Sequence, residues 1–539
     1  MKNKKFNWKS GLFAAFLFVL MTAFPMSGEA GEMPSYIRAV TYVSDSWVSN
    51  FWNSESDHME EELEQIVADG FNTIILVIPW REFQPSVMPV SYNSYAFEKL
   101  DKVMEAAGRH GLSVMFRVGY TWDYYGEESA MYRFRELLRS RSVRDSWLAY
   151  AKRLYEAGNK YSNFCGGFMT WEDFWNYVED ARNFGRGKNS VKEAEKIGFQ
   201  AYLKEHYSLK ELNRIFQPPV AFSSYRDIYI PSYNDHAYAL FYEFYDEFLN
   251  GLLKETQQVF PGLSMEVRLD ADPVPAKDGN GMESVRHNKT FPCKNAEYTA
   301  LMYSVSMGWG PGKTLTAQEA VDSMASHLAQ VHSQNEGKPI FIDQLLYMDA
   351  TEAFLTNARL SESHRGRFLM SIPPLLKKYT NGYAVWTYRN YTNNPVYNGQ
   401  FALKTRGWEV SGGEVLERGG SNQLLLKKDG KISQKIGHRI GGRTTHDNYV
   451  CFTADCDSPA VVTVTLGSQK QQMEVSGPQK FVLNFGSQGF YSVEFEAQED
   501  VYLDNIQVYN FIQDGQLRDI NGQELSCMQP LRRLNGAMK

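Results

Sequence analysis

Residues 73–79 read TIILVIP, an uncharged apolar run closed by Trp80 and Arg81. Similar runs recur: YIRAVTYV at 36–43, SVMFRVG at 113–119, FCGGFMT at 164–170, LSMEVRL at 263–269, a stretch around 298–305, KPIFIDQ at 338–344 and GYAVWTY at 382–388. Helical patterns fill the gaps, at 57–69, 95–110, 143–160 and over a long segment at 190–260. Strands without polar alternation are buried on both faces, as a parallel sheet covered by helices requires. Eight strand–helix repeats predict an α/β fold, a (β/α)8 TIM barrel over 31–404, with its site at the C-terminal ends of the strands.

Two of those ends carry acids. The fourth run stops at Trp171, Glu172 and Asp173, and the seventh at Asp343 and Gln344. Strands far apart in sequence then deliver two carboxyl groups to one mouth, the arrangement that glycosidic-bond cleavage uses. With 32 Tyr, 33 Phe and 11 Trp, the chain has rings on which a sugar's C–H face can stack. A net charge of −7 and the lack of a Lys/Arg block argue against nucleic acid as a partner.

The N-terminus reads as a targeting segment. Lys2, Lys4, Lys5 and Lys9 precede the apolar run GLFAAFLFVLMTAF, and Gly28 and Ala30 supply small residues for cleavage. Residues 1–30 are therefore predicted to be a signal peptide, and the protein to be secreted or held at the cell surface. The alternative is an uncleaved N-terminal membrane anchor, although the apolar run is shorter than the ~20 residues of a stable span. No later run is apolar enough to cross a bilayer. Cys165, Cys293, Cys451, Cys456 and Cys527 give no disulfide framework and no zinc-ligand spacing, so mostly free thiols and no metal or cofactor are expected.

Near residue 405 the pattern changes to short alternating strands with Gly, Asn and Asp turns: VVTVTLG, KFVLNFG, YSVEFEA and VYLDNIQVYNF. These predict an all-β sandwich of jelly-roll type over 405–512. No low-complexity linker separates it from the barrel. Residues 513–539 read as a polar, partly ordered tail.

Three stretches carry a family resemblance: FQAYLKEHYSLKELNRIF at 199–216, KPIFIDQ, and NGYAVWTYRNYTNNPVYNGQFAL at 381–403. They resemble clan A glycoside hydrolases, the barrel superfamily of family 5 cellulases and family 42 β-galactosidases. The first looks like the helix-turn-helix insertion after the fourth strand, and the last like the eighth strand with its sugar-platform Trp. The sandwich resembles a carbohydrate-binding domain, a structural brace being the other role open to it.

The resemblance implies a general acid/base Glu at the fourth strand and a nucleophilic Glu at the seventh. The chain departs from both. Aligned on the Glu, Glu172 is the acid; aligned on the Trp, Asp173 takes that place. Counted from Pro339, the nucleophile's seat falls on Gln344, a neutral amide, with Asp343 beside it. Strand side chains alternate faces, so Asp343 and Gln344 both reach the site only if the strand end is irregular, as at a bulge. An inverting hydrolase, a retaining one with displaced parts, and a barrel that only binds glycan all remain open. In the catalytic readings Glu172 stays protonated and Asp343 is ionised. Candidate substrate contacts are Trp386 as platform, Tyr303 bonded to the seventh-strand acid, Arg81, Arg117, Trp122, Trp171 and Gln344. Trp80 is a further subsite candidate, and Asp270 and Asp272 are spare acids. The substrate class is a polysaccharide or oligosaccharide.

Overall fold

The computed structural model describes residues 33–55, 58–120, 130–174, 189–232, 234–268, 273–284, 295–348, 356–436, 446–513, 515 and 517–539. The leader, Trp122, Asp270, Asp272 and Cys293 lie outside the described residues.

Eight parallel strands close into a barrel. They are β1 (Ile37–Thr41), β2 (Thr73–Ile78), β3 (Ser113–Val118), β4 (Phe164–Thr170), β5 (Ser264–Val267), β6 (Thr299–Ser304), β7 (Ile340–Leu346) and β8 (Thr380–Val385). Each predicted run overlaps one of them, the seventh strand running on to Leu346 and the eighth starting two residues early at Thr380. Two cores follow from strand alternation. Ile37, Ala39, Ile75, Met115, Phe168, Tyr298, Ala300, Phe341 and Ala384 fill the barrel floor. Their neighbours, among them Ile74, Leu76, Val114, Met169, Met265 and Ile342, pack outward against the helices.

The helical ring contains α1 (Met59–Ala68), α2 (Ser94–Arg109), α3 (Arg141–Gly158), α4 (Phe199–His206), α5 (Leu209–Phe216), α6 (Tyr238–Gln257), α7 (Ala317–Gln334), α8 (Glu362–Ser371) and α9 (Pro373–Tyr379). The insertion predicted at 199–216 is the α4–α5 pair. Its turn is set by Ser208, whose side chain accepts from Glu211 N while Glu211 bonds back to Ser208 N, a capping box.

After β8 the chain leaves the barrel through TNNPVYNGQF, which is pinned by buried asparagines rather than loose. Asn394 Oδ1 accepts from Val396 N and Val508 N, and Asn398 Nδ2 donates to Lys404 O and Arg406 O. An eight-stranded, mostly antiparallel β domain follows, with β9 (Glu409–Arg418), β10 (Ser421–Lys435), β11 (Tyr449–Asp455), β12 (Ala460–Leu466), β13 (Gln469–Val475), β14 (Gln479–Asn484), β15 (Ser492–Ala497) and β16 (Val501–Tyr509). The fifteen-residue β10 pairs with β16 near its start and with β15 near its end. It has its own core of Leu424, Ile432, Val450, Phe452, Val462, Val464, Phe495 and Leu503.

The segment after the sandwich returns to the barrel. Helix α10 (Met528–Ala537) buries Met528, Leu531 and Leu534, and Met538 just beyond it, in the barrel's outer core. It packs on α8, and its Asn535 accepts from Tyr383 of β8 and donates to Asp69 O at the end of α1. That is the place of the eighth barrel helix, between β8 and β1, so the sandwich is inserted between the barrel's last strand and last helix. Buried Asp69 takes Arg518 at 3.2 Å, Arg532 at 2.6 Å and the Tyr388 hydroxyl at 2.7 Å.

Among the described residues Cys165, Cys451, Cys456 and Cys527 form no disulfide with one another, and no helix is long and apolar enough to cross a membrane.

Candidate active site

At the C-terminal end of the barrel, Arg117 of β3 organises a cluster of carboxyl groups. Its strand places it inward, on the side of Met115, and it is 2% exposed. Nε and Nη2 donate to Asp173 Oδ2 at 3.2 and 3.1 Å. Nη2 also reaches Glu172 Oε2 at 3.1 Å and Thr170 Oγ1 at 3.2 Å. Burial works against the Arg117 charge, but Asp173, Glu172 and Glu266 outweigh it and raise its pKa.

Glu172 and Asp173 divide into different roles. They sit in the helical turn that follows β4, which swings neighbouring side chains apart. Asp173 is fully buried and bonded to Thr170 and Arg117. Burial raises its pKa against the pull of Arg117. Glu172 keeps a quarter of its side chain open to the mouth and is ion-paired to Arg117 and, at 3.7 Å, to Arg268 just past β5.

Asp343 and Gln344 both face the barrel interior because β7 is irregular. Phe341 pairs with Ala300 and Gln344 with Met302, leaving Ile342 and Asp343 opposite Leu301 alone. This bulge restores the inward direction one residue early. Leu345, paired with Tyr303, already faces the outer core.

The sequence reading passed over Glu266, in the middle of β5. It is 0% exposed and faces inward, between Thr170 and Ala300 in register. Its carboxyl and that of Asp343, which is 1% exposed, face one another, and neither accepts a well-formed hydrogen bond from another residue. Burial, then the Asp343 charge, pushes the Glu266 pKa well above the usual carboxyl range. Burial likewise lifts Asp343, to about 7, against the opposing charge of Arg117. The expectation that Asp343 is the ionised partner thus meets a site whose burial favours the protonated form of that carboxyl. The signal for Glu266 was available: with Met265 and Val267 facing the helices, a lone Glu between them must face inward.

Aromatic groups close the layer. Trp386, half-buried at the end of β8, lies 5.9 Å from the Arg117 guanidinium, and Tyr120 lies 5.1 Å from it on another side. Trp47 packs on Tyr120 and Tyr391 at the rim.

Four sequence candidates belong elsewhere. Tyr303 donates to Ala320 O in α7, because its parity on β6 turns it outward, away from Asp343. Trp171 is buried against Tyr242 and Tyr245 of α6, stacked on the first at 6.3 Å. Trp80 donates to Gln84 and packs on Phe134 and Trp147 in the core. Arg81 lies in the turn Trp80–Phe83, within electrostatic reach of Tyr397 rather than of the carboxyl cluster.

No family model and no curated protein matches the chain. Among solved structures it is similar to an exo-beta-1,4-mannosidase from Opitutaceae bacterium strain TAV5, at 12% identity and TM-score 0.41, the match covering 67% of this chain and 55% of that one. It is also similar to the GH5_18 protein of Streptomyces cattleya in complex with GlcNAc, at 14% identity and TM-score 0.42, covering 68% and 73% of the two chains. The GH5_18 protein of Bifidobacterium longum subsp. longum gives 13% and 0.41, covering 67% and 71%. The barrel assignment rests on the closed strand order itself.

Proposed function

We propose that this protein is an exported glycoside hydrolase that cleaves O-glycosidic bonds of a polysaccharide or oligosaccharide with two carboxyl groups. One observation carries the reading. An ion-paired carboxyl, Glu172, opens to the mouth, and a buried inward acid, Asp343, whose burial favours its protonated form, shares the same Arg117 layer. Such a hydrolase needs one protonated and one charged carboxyl across the scissile bond. In this assignment Asp343 protonates the leaving oxygen, and Glu172 is the base or nucleophile, the reverse of the roles expected from the sequence. Trp386 offers the stacking platform.

A second reading is a glycan-binding barrel without turnover. It is favoured by Gln344 in the expected nucleophile seat and by Asp343 oxygens that have no solvent access. A sugar must reach the Arg117 layer to meet Asp343.

The test is reducing-end release by the mature protein from β-glucans, mannans, galactans and bacterial exopolysaccharides, beside Glu172→Gln and Asp343→Asn. The expected result is release from at least one polymer, abolished by either substitution. Binding to a polymer with no release from any of them would establish the second reading.

A further inference from the structure

The site holds more acid than base. Glu172, Asp173, Glu266 and Asp343 gather around Arg117 and Arg268; Arg117 contacts both Glu172 and Asp173, and Arg268 contacts Glu172. That leaves Glu266 and Asp343 facing one another in a sealed layer without a cation in contact. Two like charges held together out of water cannot both persist, so the pair must retain a proton. Glu266 is the deeper of the two, flanked on its own sheet by Thr170 and Ala300, which bring no positive charge. Asp343 sits on the bulged end of β7, nearer the mouth.

We propose that Glu266 stands as a neutral carboxylic acid and donates a hydrogen bond to Asp343, making it the residue that positions the proton donor of the site. The inference rests on the hydrolase reading for the role of Asp343, though not for the proton on Glu266. When Asp343 gives its proton to the glycosidic oxygen as the C1–O bond breaks, its new charge is met by the Glu266 O–H. Glu266 itself loses no proton. The groups that set this balance are Arg117 from β3, Glu172 and Asp173 past β4, and Arg268 past β5. The high pKa of Glu266 agrees with it, since burial and the Asp343 charge both favour its neutral form.

Difference infrared spectroscopy on the mature chain tests the proton directly. At about pH 8.5, above the Asp343 value of about 7, a protonated-carboxyl band is expected in the wild type and in Asp343→Asn, and one carboxyl's intensity should be missing in Glu266→Gln. No such band in the wild type, or intensity unchanged in Glu266→Gln, overturns the proposal whether or not a substrate is known. With a substrate in hand, Glu266→Leu should lower kcat on the order of tenfold and move the alkaline limb of the pH–rate profile upward. Glu266→Gln, whose amide also donates, should bring both back toward wild type. A limb that moves downward in Glu266→Gln would mean that Glu266 is ionised, and would overturn the proposal.

Discussion

Removing the last twelve residues should cost the barrel its fold, although they follow a separate β domain in the chain. A chain ending at Cys527 loses α10, and with it Met528, Leu531, Leu534 and Met538, each at most 3% exposed. At about 2 kcal/mol per fully buried side chain, the lost burial is about 8 kcal/mol. The truncation also takes Arg532 from buried Asp69 and Asn535 from the Tyr383 hydroxyl. A typical domain is stable by only about 5–15 kcal/mol, so the truncated barrel should be unfolded or aggregated at ambient temperature. Circular dichroism melts of the full chain, the truncation and Leu531→Ala would show it. The point substitution alone should cost about 2–5 kcal/mol. A truncated chain that melts within about 2 °C of the full chain would refute the assignment of α10 as the eighth barrel helix. The same logic changes how the sandwich is to be tested. A cut near residue 404 removes α10 as well, so barrel failure there says nothing about the sandwich.

Two further outcomes follow from the site. Arg117→Met should cost about 3–5 kcal/mol at neutral pH, because it strands buried Asp173; adding Asp173→Asn should recover part of that loss, and equal denaturant midpoints for wild type and Arg117→Met would contradict the pairing. Asp343, raised in the fold to about 7, is an acid whose charged form the fold disfavours, so its cost is full above about pH 7 and fades as pH falls toward its unfolded value. The stability difference between Asp343→Asn and wild type should therefore change by about 1.4 kcal/mol per pH unit between ~pH 7 and ~pH 4, with the variant gaining on wild type as pH rises; a pH-independent difference across urea melts would show that Asp343 is ionised throughout.

The parts of this chain that were legible are those where burial writes itself into consecutive residues. TIILVIP and its seven counterparts had to be strands because no other element buries a short, mostly apolar run between two layers of apolar neighbours. Facing was harder to read, since it depends on register. Tyr303 looked like a partner for the seventh-strand acid, yet its place on β6 aims it at α7. Asp343 and Gln344 could both face inward only at an irregular strand end, and the β7 bulge supplies one, for a reason that lies in pairing with β6 and not in the heptapeptide itself. Helix α10 was hidden for a different reason. MQPLRRLNGA carries its apolar side chains at 528, 531 and 534, a helical stripe, but Pro530 and Gly536 read as breakers. Pro530 falls in the first turn, where its missing N–H costs nothing, and Gly536 falls in the last. Glu266 is the most instructive case. A charge in the middle of an apolar strand reads as an exposed edge until the strand is known to be one stave of a closed barrel. Once it is, no exposed face exists, and the charge must either neutralise or find a partner. The barrel thus turns an unremarkable Glu into a functional candidate: closure forces it inward, and the carboxyl it meets there is the one on which the proposed chemistry depends.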